Sequence, residues 1–411
     1  MTPTILIATT SKWFTTARLA IAFAKLGCNV EAVCPINNAL RKTKAVRRAH
    51  MYQALSPLES FLYAIRASKP DLIVPGDDLA SKHLHDLYSR EKRNSGAGQK
   101  ICDLIERSIG PSESFPIANA RATFMEIASQ EGIRVPKTAV LRDVSELETW
   151  ISHSDFPLVL KADGSSSGEG VKIVHTLSEA KHAFRALQSP PHWIRVAKRV
   201  LINRDMRWVR PALERRRSIV NVQEFVAGRD ATTLVACWKG QVLAALHFEV
   251  VNKQYAYGPA SVLRLIENEE IAIAAEKLVH RLNISGLHGF DFLLEKDTEK
   301  PYLIEMNPRA TQVGHLALGP GRDLPAALSA AICGDAVPET LKVTENPTIA
   351  LFPQEWLRNP QSTFLSSAYH DIPWDEPDLI RDCLRKTRRW HDWRSLEHWI
   401  HIFSTHRSSV V

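Results

Sequence analysis

A predicted β-hairpin around residue 298 restricts this chain more than any other segment, because its pairing brings charged side chains together. Its strands are GFDFLLE and PYLIEMN, and the turn KDTEK is centred on Thr298. Glu305 and Asn307 are two residues apart, so a strand points them to the same face. Antiparallel pairing about Thr298 sets Asp291 opposite Glu305, and opposed carboxylates repel unless a cation neutralises them. Two carboxylates and an amide oxygen suit Mg²⁺, so Asp291, Glu305 and Asn307 are predicted metal ligands; the alternative is an exposed acidic hairpin end.

A second segment, PLVLKADGSSSGEGVKIV at 157–174, predicts two strands joined by a loop rich in glycine and serine. Lys161 ends the first strand and precedes the loop, whereas a P-loop has its lysine at the end of the loop, entering a helix. Glycines let backbone amides approach an anion, and serine hydroxyls add donors. The segment therefore predicts a flap over phosphates with Lys161 beneath it; the alternative is a flexible hairpin turn. The flap residues are Ser165, Ser166, Ser167 and Gly168.

The first 112 residues alternate apolar strands with amphipathic helices, which is typical of a parallel sheet in an α/β fold. The turn after the first strand, TTSKWF, lacks the GxGxxG pattern, so no dinucleotide site is predicted there.

Composition and charge exclude several classes of protein. No apolar run approaches the roughly 18 residues that a membrane span needs, so no membrane association is expected. The N-terminus has the pattern of a strand and not of a signal peptide, and six scattered cysteines lack CxxC spacing, so we expect a cytoplasmic protein. The net charge is +7, and basic residues concentrate at 195–217 and 381–394, which are either solvated helix faces or surfaces that attract an acidic substrate or nucleotide phosphates. No nucleic-acid-binding signature accompanies this charge, so no nucleic-acid partner is predicted.

The chain contains, in this order, the lysine-and-loop segment, QEFVAGRD at 223–230 and the IEMNPR hairpin. Together these segments resemble the ATP-grasp superfamily, and the resemblance covers roughly residues 1–320. The ending IEMNPR is most similar to that of the carbamoyl phosphate synthetase large subunit and of ATP-grasp amino-acid ligases. The resemblance implies an α/β protein in which an N-terminal parallel α/β domain precedes lobes of the α+β ATP-grasp fold. The expected regions are an N-terminal parallel α/β domain at 1–112, ATP-grasp lobes at 113–190 and 191–325, and a mostly helical C-terminal segment at 326–411.

The resemblance also implies roles for single residues, with ATP and Mg²⁺ as cofactors and Mn²⁺ as an alternative metal. Lys161 would contact ATP phosphates beneath the closing loop, and Asp230 would bind the ribose. Arg309 would face the acyl phosphate or the substrate carboxylate, and Arg264 would reach the transferring phosphate. Arg121 stands eleven residues before the glycine of GIRVP, where the family commonly has a phosphate-binding lysine, so the charge is kept but the geometry is not. The adenine edge would meet the segment Gln223, Glu224, Phe225 and Val226.

In this family ATP phosphorylates a carboxylate, and an amine attacks the resulting acyl phosphate. The resemblance therefore implies an ADP-forming carboxylate–amine ligase that acts on a small-molecule carboxylate and an amine, with amino acids among the candidates. A small-molecule kinase on the same fold and a non-catalytic nucleotide-binding module remain alternatives. In the C-terminal segment, four apolar side chains lie near one face of a predicted helix. This face either packs on the catalytic domain, forms a homodimer contact or serves as a lid over the substrate pocket. These side chains are Trp390, Trp393, Ile400 and Phe403.

Overall fold

Three sheets organise the protein, and a computed structural model describes residues 2–94, 96, 98–164, 170–189, 217–256 and 258–387. The flap residues 165–168, the four C-terminal apolar side chains and nearly all of the basic insert at 195–217 lie outside these ranges. None of the helices in the described ranges is both long and apolar enough to cross a membrane.

The N-terminal domain contains a four-stranded parallel sheet in the order β3-β2-β1-β4. Alternate residues of β1 enter two cores, Ile5 and Ile7 on one face and Leu6 and Ala8 on the other, because helices or a second sheet cover both faces. The strands are β1 Thr4–Ala8, β2 Asn29–Cys34, β3 Arg48–Met51 and β4 Leu72–Pro75, and the helices are α1 Thr15–Lys25, α2 Pro57–Ser68, α3 Asp78–Glu91 and α4 Gln99–Ile109, with a 3₁₀ turn at Ala39–Arg41.

A short connector leads to a smaller antiparallel sheet in the order β5-β8-β6-β7, which has a core of its own. The connector holds a 3₁₀ turn at Ser112–Ser114 and the helices α5 Phe115–Asn119 and α6 Arg121–Gln130. The small lobe comprises β5 Thr138–Leu141, α7 Val144–Ile151, β6 Leu158–Ala162, β7 Val171–Val174, α8 Leu177–Gln188 and β8 Val220–Glu224. The strands predicted on either side of the flap are confirmed. Sheet membership extends past the expected lobe boundary at 190, because Val220 and Val222 pack into the small core.

The large lobe is built on a seven-stranded sheet in the order β13-β12-β9-β10-β11-β14-β15. Its strands are β9 Gly228–Trp238, β10 Gln241–Lys253, β11 Ala260–Leu265, β12 Gly286–Glu295, β13 Pro301–Asn307, β14 Thr348–Leu351 and β15 Tyr369–Asp371. Its helices are α9 Glu269–Leu282, α10 Leu324–Cys333, α11 Gln354–Arg358, α12 Phe364–Ser367 and α13 Pro377–Thr387. Helices hold most of the regular structure described after residue 326, as predicted, but two short strands that were not predicted extend the sheet there.

The N-terminal domain and the large lobe share one hydrophobic core, whereas the small lobe does not join it. Ile7 and Phe23 of the N-terminal domain cluster with Leu246 and Leu263 of the large sheet, and Ile349 of β14 belongs to the same cluster. The small lobe therefore faces a continuous body, and a cleft lies where the three sheets meet.

Candidate active site

A cavity of about 440 Å³ lies at the junction of the three sheets. The small lobe contributes Lys161, the large lobe contributes Asp291 and Arg309, and the N-terminal domain contributes Trp13 and Asp78. The cavity therefore gathers residues from widely separated parts of the chain, and it contains most of the charged side chains singled out from the sequence.

The hairpin of β12 and β13 forms the charged floor of this cavity. Asp291 pairs directly with Glu305, which confirms the predicted register at this point. Next along the strands, Phe292 pairs with Leu303, so Ile304 is an extra residue in a β-bulge. The bulge lets Glu305 face the cavity although Leu303 lies in the core, and Asn307 faces the cavity with Glu305 as predicted.

The two opposed carboxylates have opposite electrostatic environments. Burial and the charge of Glu305 raise the pKa of Asp291 to about 6, although Thr232 and Asn307 donate hydrogen bonds to it at 2.7 and 2.8 Å. Burial opposes ionisation of Glu305 too, but the charges of Arg121 and Lys161 outweigh it and lower the pKa of Glu305. At neutral pH both carboxylates are therefore ionised, and the negative charge of Asp291 is incompletely compensated.

Lys161 and Arg121 bring positive charge to the same floor. Lys161 is only 6% exposed, and its burial, together with the charge of Arg121, lowers the pKa of this lysine to about 8. Arg121 begins α6, and its Nη2 lies 2.7 Å from Glu305 Oε1, while its Nη1 lies 3.9 Å from Asp163 Oδ1. Burial raises the pKa of Asp163, and the hydrogen bond from Asn221 at 2.8 Å partly offsets this. The floor thus places cations beside carboxylates, an arrangement that can bind phosphates and a metal ion.

The donor set fits Mg²⁺ better than a metal that needs a closed protein cage. In the described part of the chain, no group of three or more His, Cys, Asp or Glu residues is arranged to hold a metal ion. Asp291, Glu305 and the amide oxygen of Asn307 supply hard oxygen ligands only, and Mg²⁺ usually keeps waters and shares substrate phosphates. Burial and the charge of Glu305 raise the pKa of Asp291, so a cation bound here would favour its ionised form.

Arg309 connects the metal-ligand candidates to the N-terminal domain. Its Nη2 donates to Asn307 Oδ1 at 3.0 Å, and its Nε donates to Asp78 Oδ1 at 2.8 Å. Burial opposes the charge of Arg309, but Asp78, with the further charges of Asp77 and Asp291, outweighs burial and raises the pKa of the guanidinium. Backbone N–H of Ala310 donates to Pro75 O at 3.0 Å, so the loop after the hairpin is bonded to the end of β4.

The sequence interpretation missed the wall that the N-terminal domain contributes. Asp78 lies three residues after the end of β4 in LIVPGDD, and Trp13 follows β1 in IATTSKW. Ligands in α/β proteins gather outside the carboxyl ends of parallel strands, and this rule was the signal available to find both residues.

Several predicted residues lie at the edge of the cavity or away from it. Asp230 lines it and pairs with Lys253, with 2.7 Å between Oδ2 and Nζ. Arg264 is exposed on β11 opposite Glu249 and, within the described ranges, is not part of the cavity wall, so the structure does not bring it to the other candidates.

The predicted adenine segment ends the small sheet outside the cavity lining found among the described residues. Gln223 is buried, and its side chain donates to Thr138 Oγ1 at 2.9 Å. Backbone N–H of Glu224 donates to Lys137 O at 3.0 Å, so it is already used within the sheet. Phe225 is 37% exposed, and Val226 follows it in the connection to β9. The roles assigned to this segment stay predictions.

Fold and cleft together define an ATP-grasp architecture, in which a small antiparallel lobe and a larger sheet enclose a charged cleft beside an N-terminal α/β domain. A family profile described as an ATP-grasp domain matches residues 198–313. The chain therefore contains an ATP-grasp domain.

Three similar proteins place this domain among known folds. The carbamoyl phosphate synthase large chain of Rubrobacter xylanophilus is 23% identical over 262 residues, which are 63% of this chain and 23% of that protein. An N5-carboxyaminoimidazole ribonucleotide synthetase solved with ADP has a TM-score of 0.59 at 15% identity, covering 83% of this chain and 79% of that one. The L-amino acid ligase of Bacillus licheniformis has a TM-score of 0.53 at 16% identity, covering 80% and 74%. The chain spans 23% and 42% of the length of the first two curated relatives.

Proposed function

We propose that this protein is an ATP-dependent carboxylate–amine ligase that releases ADP and phosphate. One observation carries the proposal: the opposed pair Asp291 and Glu305 shares a single cavity with Lys161 and Arg309. This set combines a candidate metal site, a phosphate-binding cation and a planar donor suited to a carboxylate or an acyl phosphate. The similarity to carbamoyl phosphate synthase and to an L-amino acid ligase supports the same reaction class.

Each charged residue has a defined part in binding the substrates. Lys161 and Arg121 attract the phosphates of ATP, which is a substrate here. Asp291, Glu305 and Asn307 would hold Mg²⁺, which when bound neutralises phosphate charge. Phosphoryl transfer depends on positioning and charge neutralisation more than on a protein nucleophile, and this cavity supplies both.

The proposed reaction has two chemical steps. In the first, an oxygen of the substrate carboxylate forms a bond to the γ-phosphorus of ATP, the bond from that phosphorus to the bridging oxygen breaks, and ADP leaves with the electron pair. In the second, the amine nitrogen bonds to the acyl carbon, the bond from carbon to the phosphate oxygen breaks, and phosphate leaves while the surplus proton of the nitrogen passes to water. Arg309 stabilises the negative charge that develops on the acyl phosphate.

The test measures release of ADP and phosphate with Mg-ATP across a matrix of carboxylic acids and amines. Glu305→Gln removes a candidate metal ligand, and Glu299→Gln, an exposed carboxylate in the same hairpin, is the matched control. Release that needs both an acid and an amine, is lost in Glu305→Gln and is kept in Glu299→Gln would establish the ligase.

Other outcomes distinguish the alternatives. Release with one substrate alone, together with a stable phosphorylated product, would establish a kinase instead. ATP binding without turnover on any pair would contradict the ligase and favour a nucleotide-binding module.

A further inference from the structure

The N-terminal end of the cavity holds more negative than positive charge. Asp77 and Asp78 both line the cavity there, and Arg309 is the cation that pairs with Asp78. Asp77 is 6% exposed and accepts its hydrogen bonds from neutral donors, including Thr10 N–H at 2.6 Å and Ala80 N–H at 2.9 Å, while the charge of Arg309 acts on it without a hydrogen bond among the described residues. This end of the cavity therefore favours a ligand that carries a positive charge.

Asp78 presents an oxygen to that ligand. Its Oδ1 accepts from Arg309 Nε, and its Oδ2 has no hydrogen-bond partner among the residues that the structure describes. The side chain is 42% exposed and lines the cavity. An ammonium group is the natural complement of a carboxylate oxygen in this setting.

Arg309 presents donors immediately beside that oxygen. Its Nε donates to Asp78, its Nη2 to Asn307, and its Nη1 to the carbonyl oxygen of Ala310 at 3.3 Å. A guanidinium has two N–H groups on each terminal nitrogen, so one on each remains for a ligand. A planar pair of donors is the geometry that a carboxylate accepts.

The two charged groups are fixed relative to each other by bonds that do not involve a ligand. Ala310 N–H donates to Pro75 O at 3.0 Å, and Ser81 Oγ donates to Pro308 O at 2.6 Å. Pro75 and Ser81 flank Asp78 in the chain, and Pro308 and Ala310 flank Arg309. A carboxylate oxygen and guanidinium donors are therefore held side by side, where one ligand that carries both an ammonium and a carboxylate group can contact both.

The cavity wall next to this pair leaves room for a side chain. Trp13 and Leu79 line it, and Thr311 Oγ is buried without a hydrogen-bond partner in the described part of the chain. An aromatic ring and a leucine suit an apolar substituent, and the threonine hydroxyl adds one polar atom.

We propose that Asp78 and Arg309 together bind the head group of an α-amino acid, with Asp78 on the ammonium and Arg309 on the carboxylate that is activated. The inference rests on the proposed function, and it names the substrate class that donates the acyl group. Asp78 is thus a specificity-determining residue contributed by the N-terminal domain.

The experiment forms hydroxamates from Mg-ATP, an acid and hydroxylamine at neutral pH, where hydroxylamine is mostly uncharged and replaces the unknown amine. Each of alanine, leucine and phenylalanine is compared with the acid that has the same side chain but no ammonium group: propionate, 4-methylpentanoate and 3-phenylpropanoate. Asp78→Asn keeps an oxygen for Arg309 Nε but removes the charge. Asp86→Asn, an exposed carboxylate on the same helix, is the matched control.

We expect the wild-type protein to prefer at least one amino acid over its partner acid by roughly 100-fold in kcat/KM, because the partner acid has no ammonium group to bind the Asp78 oxygen that faces the cavity. Asp78→Asn should reduce that ratio to within about tenfold of unity, mainly by raising KM for the amino acid. Asp86→Asn should leave the ratio unchanged, and ATP titration should show that both variants still bind ATP.

Two results would overturn this inference while leaving the ligase intact: hydroxamate formation without any preference for the ammonium group, or an equal loss for both members of a pair in Asp78→Asn. The second result would mean that Asp78 acts only by positioning Arg309. Absence of hydroxamate from every acid, despite ATP binding, would overturn the proposed function and this inference together.

Discussion

Replacing Asp291 by asparagine is expected to stabilise the free protein and to remove its response to Mg-ATP. Asp291 faces Glu305 across the hairpin, and its pKa is raised from 3.8 to about 6 by burial and by that charge. The folded protein holds this proton more tightly than the unfolded chain does. The contribution of Asp291 to the free energy of unfolding is therefore most favourable below about pH 4, falls as pH rises to about 6, and stays reduced above that.

The magnitude follows from the difference between the two pKa values. A shift of about two units, at about 1.4 kcal/mol per unit, lowers the free energy of unfolding by about 3 kcal/mol at pH 7.5. Asparagine carries no charge, but it accepts only one of the hydrogen bonds from Thr232 and Asn307, which costs about 1 kcal/mol. The net gain at pH 7.5 is about 1–2 kcal/mol, and it shrinks at pH 5, where the charge penalty is roughly half as large.

Urea unfolding, followed by tryptophan fluorescence at both pH values with and without Mg-ATP, measures these differences. Ligand at about 100 times its Kd adds about 2.7 kcal/mol to a protein that binds it, so saturating Mg-ATP should make the wild-type protein the more stable one. Asp297→Asn, in the exposed turn of the same hairpin, is the control and should change neither value. A variant that is less stable than wild type without ligand at pH 7.5, or that Mg-ATP stabilises equally, would refute the reasoning.

Three further changes test other parts of the structure. Burial lowers the pKa of Lys161 to about 8, so the lysine is charged below that pH. Nucleotide titrations should show that ATP binding weakens about tenfold between pH 7.5 and 9.5, and Lys161→Met should abolish this dependence. A Cβ on Gly76 would lie 2.5 Å from Cγ2 of Thr16, so Gly76→Ala should lower the free energy of unfolding by about 1–3 kcal/mol. Adding Thr16→Ser removes that methyl group and should restore part of the stability, and no restoration would contradict the clash. Asp371 is 1% exposed and pairs with Arg18 and a buried histidine, so Asp371→Asn should cost about 3–5 kcal/mol in urea unfolding, and a loss under 1 kcal/mol would show that the pair is dispensable.

The charged hairpin was predictable because strands point alternate residues to the same face. Counting outward from Thr298 gave the right partner for Asp291, but the pairing near the turn is offset: Leu294 meets Pro301 and not Tyr302. The bulge at Ile304 shifts the pairing by one residue and restores the expected partner. A bulge depends on packing across the sheet and has no local sequence signature, so the agreement rests on two offsets that cancel.

The position of Asp78 after a parallel strand could be predicted from the sequence, but its pairing with Arg309 could not. The bond between Arg309 and Asp78 joins residues 231 positions apart, and no periodicity links segments so distant. The strands β14 and β15 contain four and three residues, which is too short for alternation to emerge from the sequence. The choice of sheet for β8 likewise depends on a shared core, in which Val220 and Val222 pack with Leu158 and Leu160.

Hydrogen bonds from the loop after the hairpin to the N-terminal domain hold one part of the cavity rigid, whereas another part can move with the small lobe. Ala310 N–H on Pro75 O and Ser81 Oγ on Pro308 O tie the N-terminal domain to the floor of the large lobe, whereas Lys161 belongs to a lobe with its own core. Any displacement of the small lobe changes the distance from Lys161 to the hairpin carboxylates and leaves Asp78 and Arg309 in register. Under the roles proposed above, movement of the small lobe changes the contact of Lys161 with the nucleotide phosphates and leaves the acyl-donor subsite of Asp78 and Arg309 unchanged. Substitutions around that subsite should therefore alter donor selectivity without changing the contact that Lys161 makes.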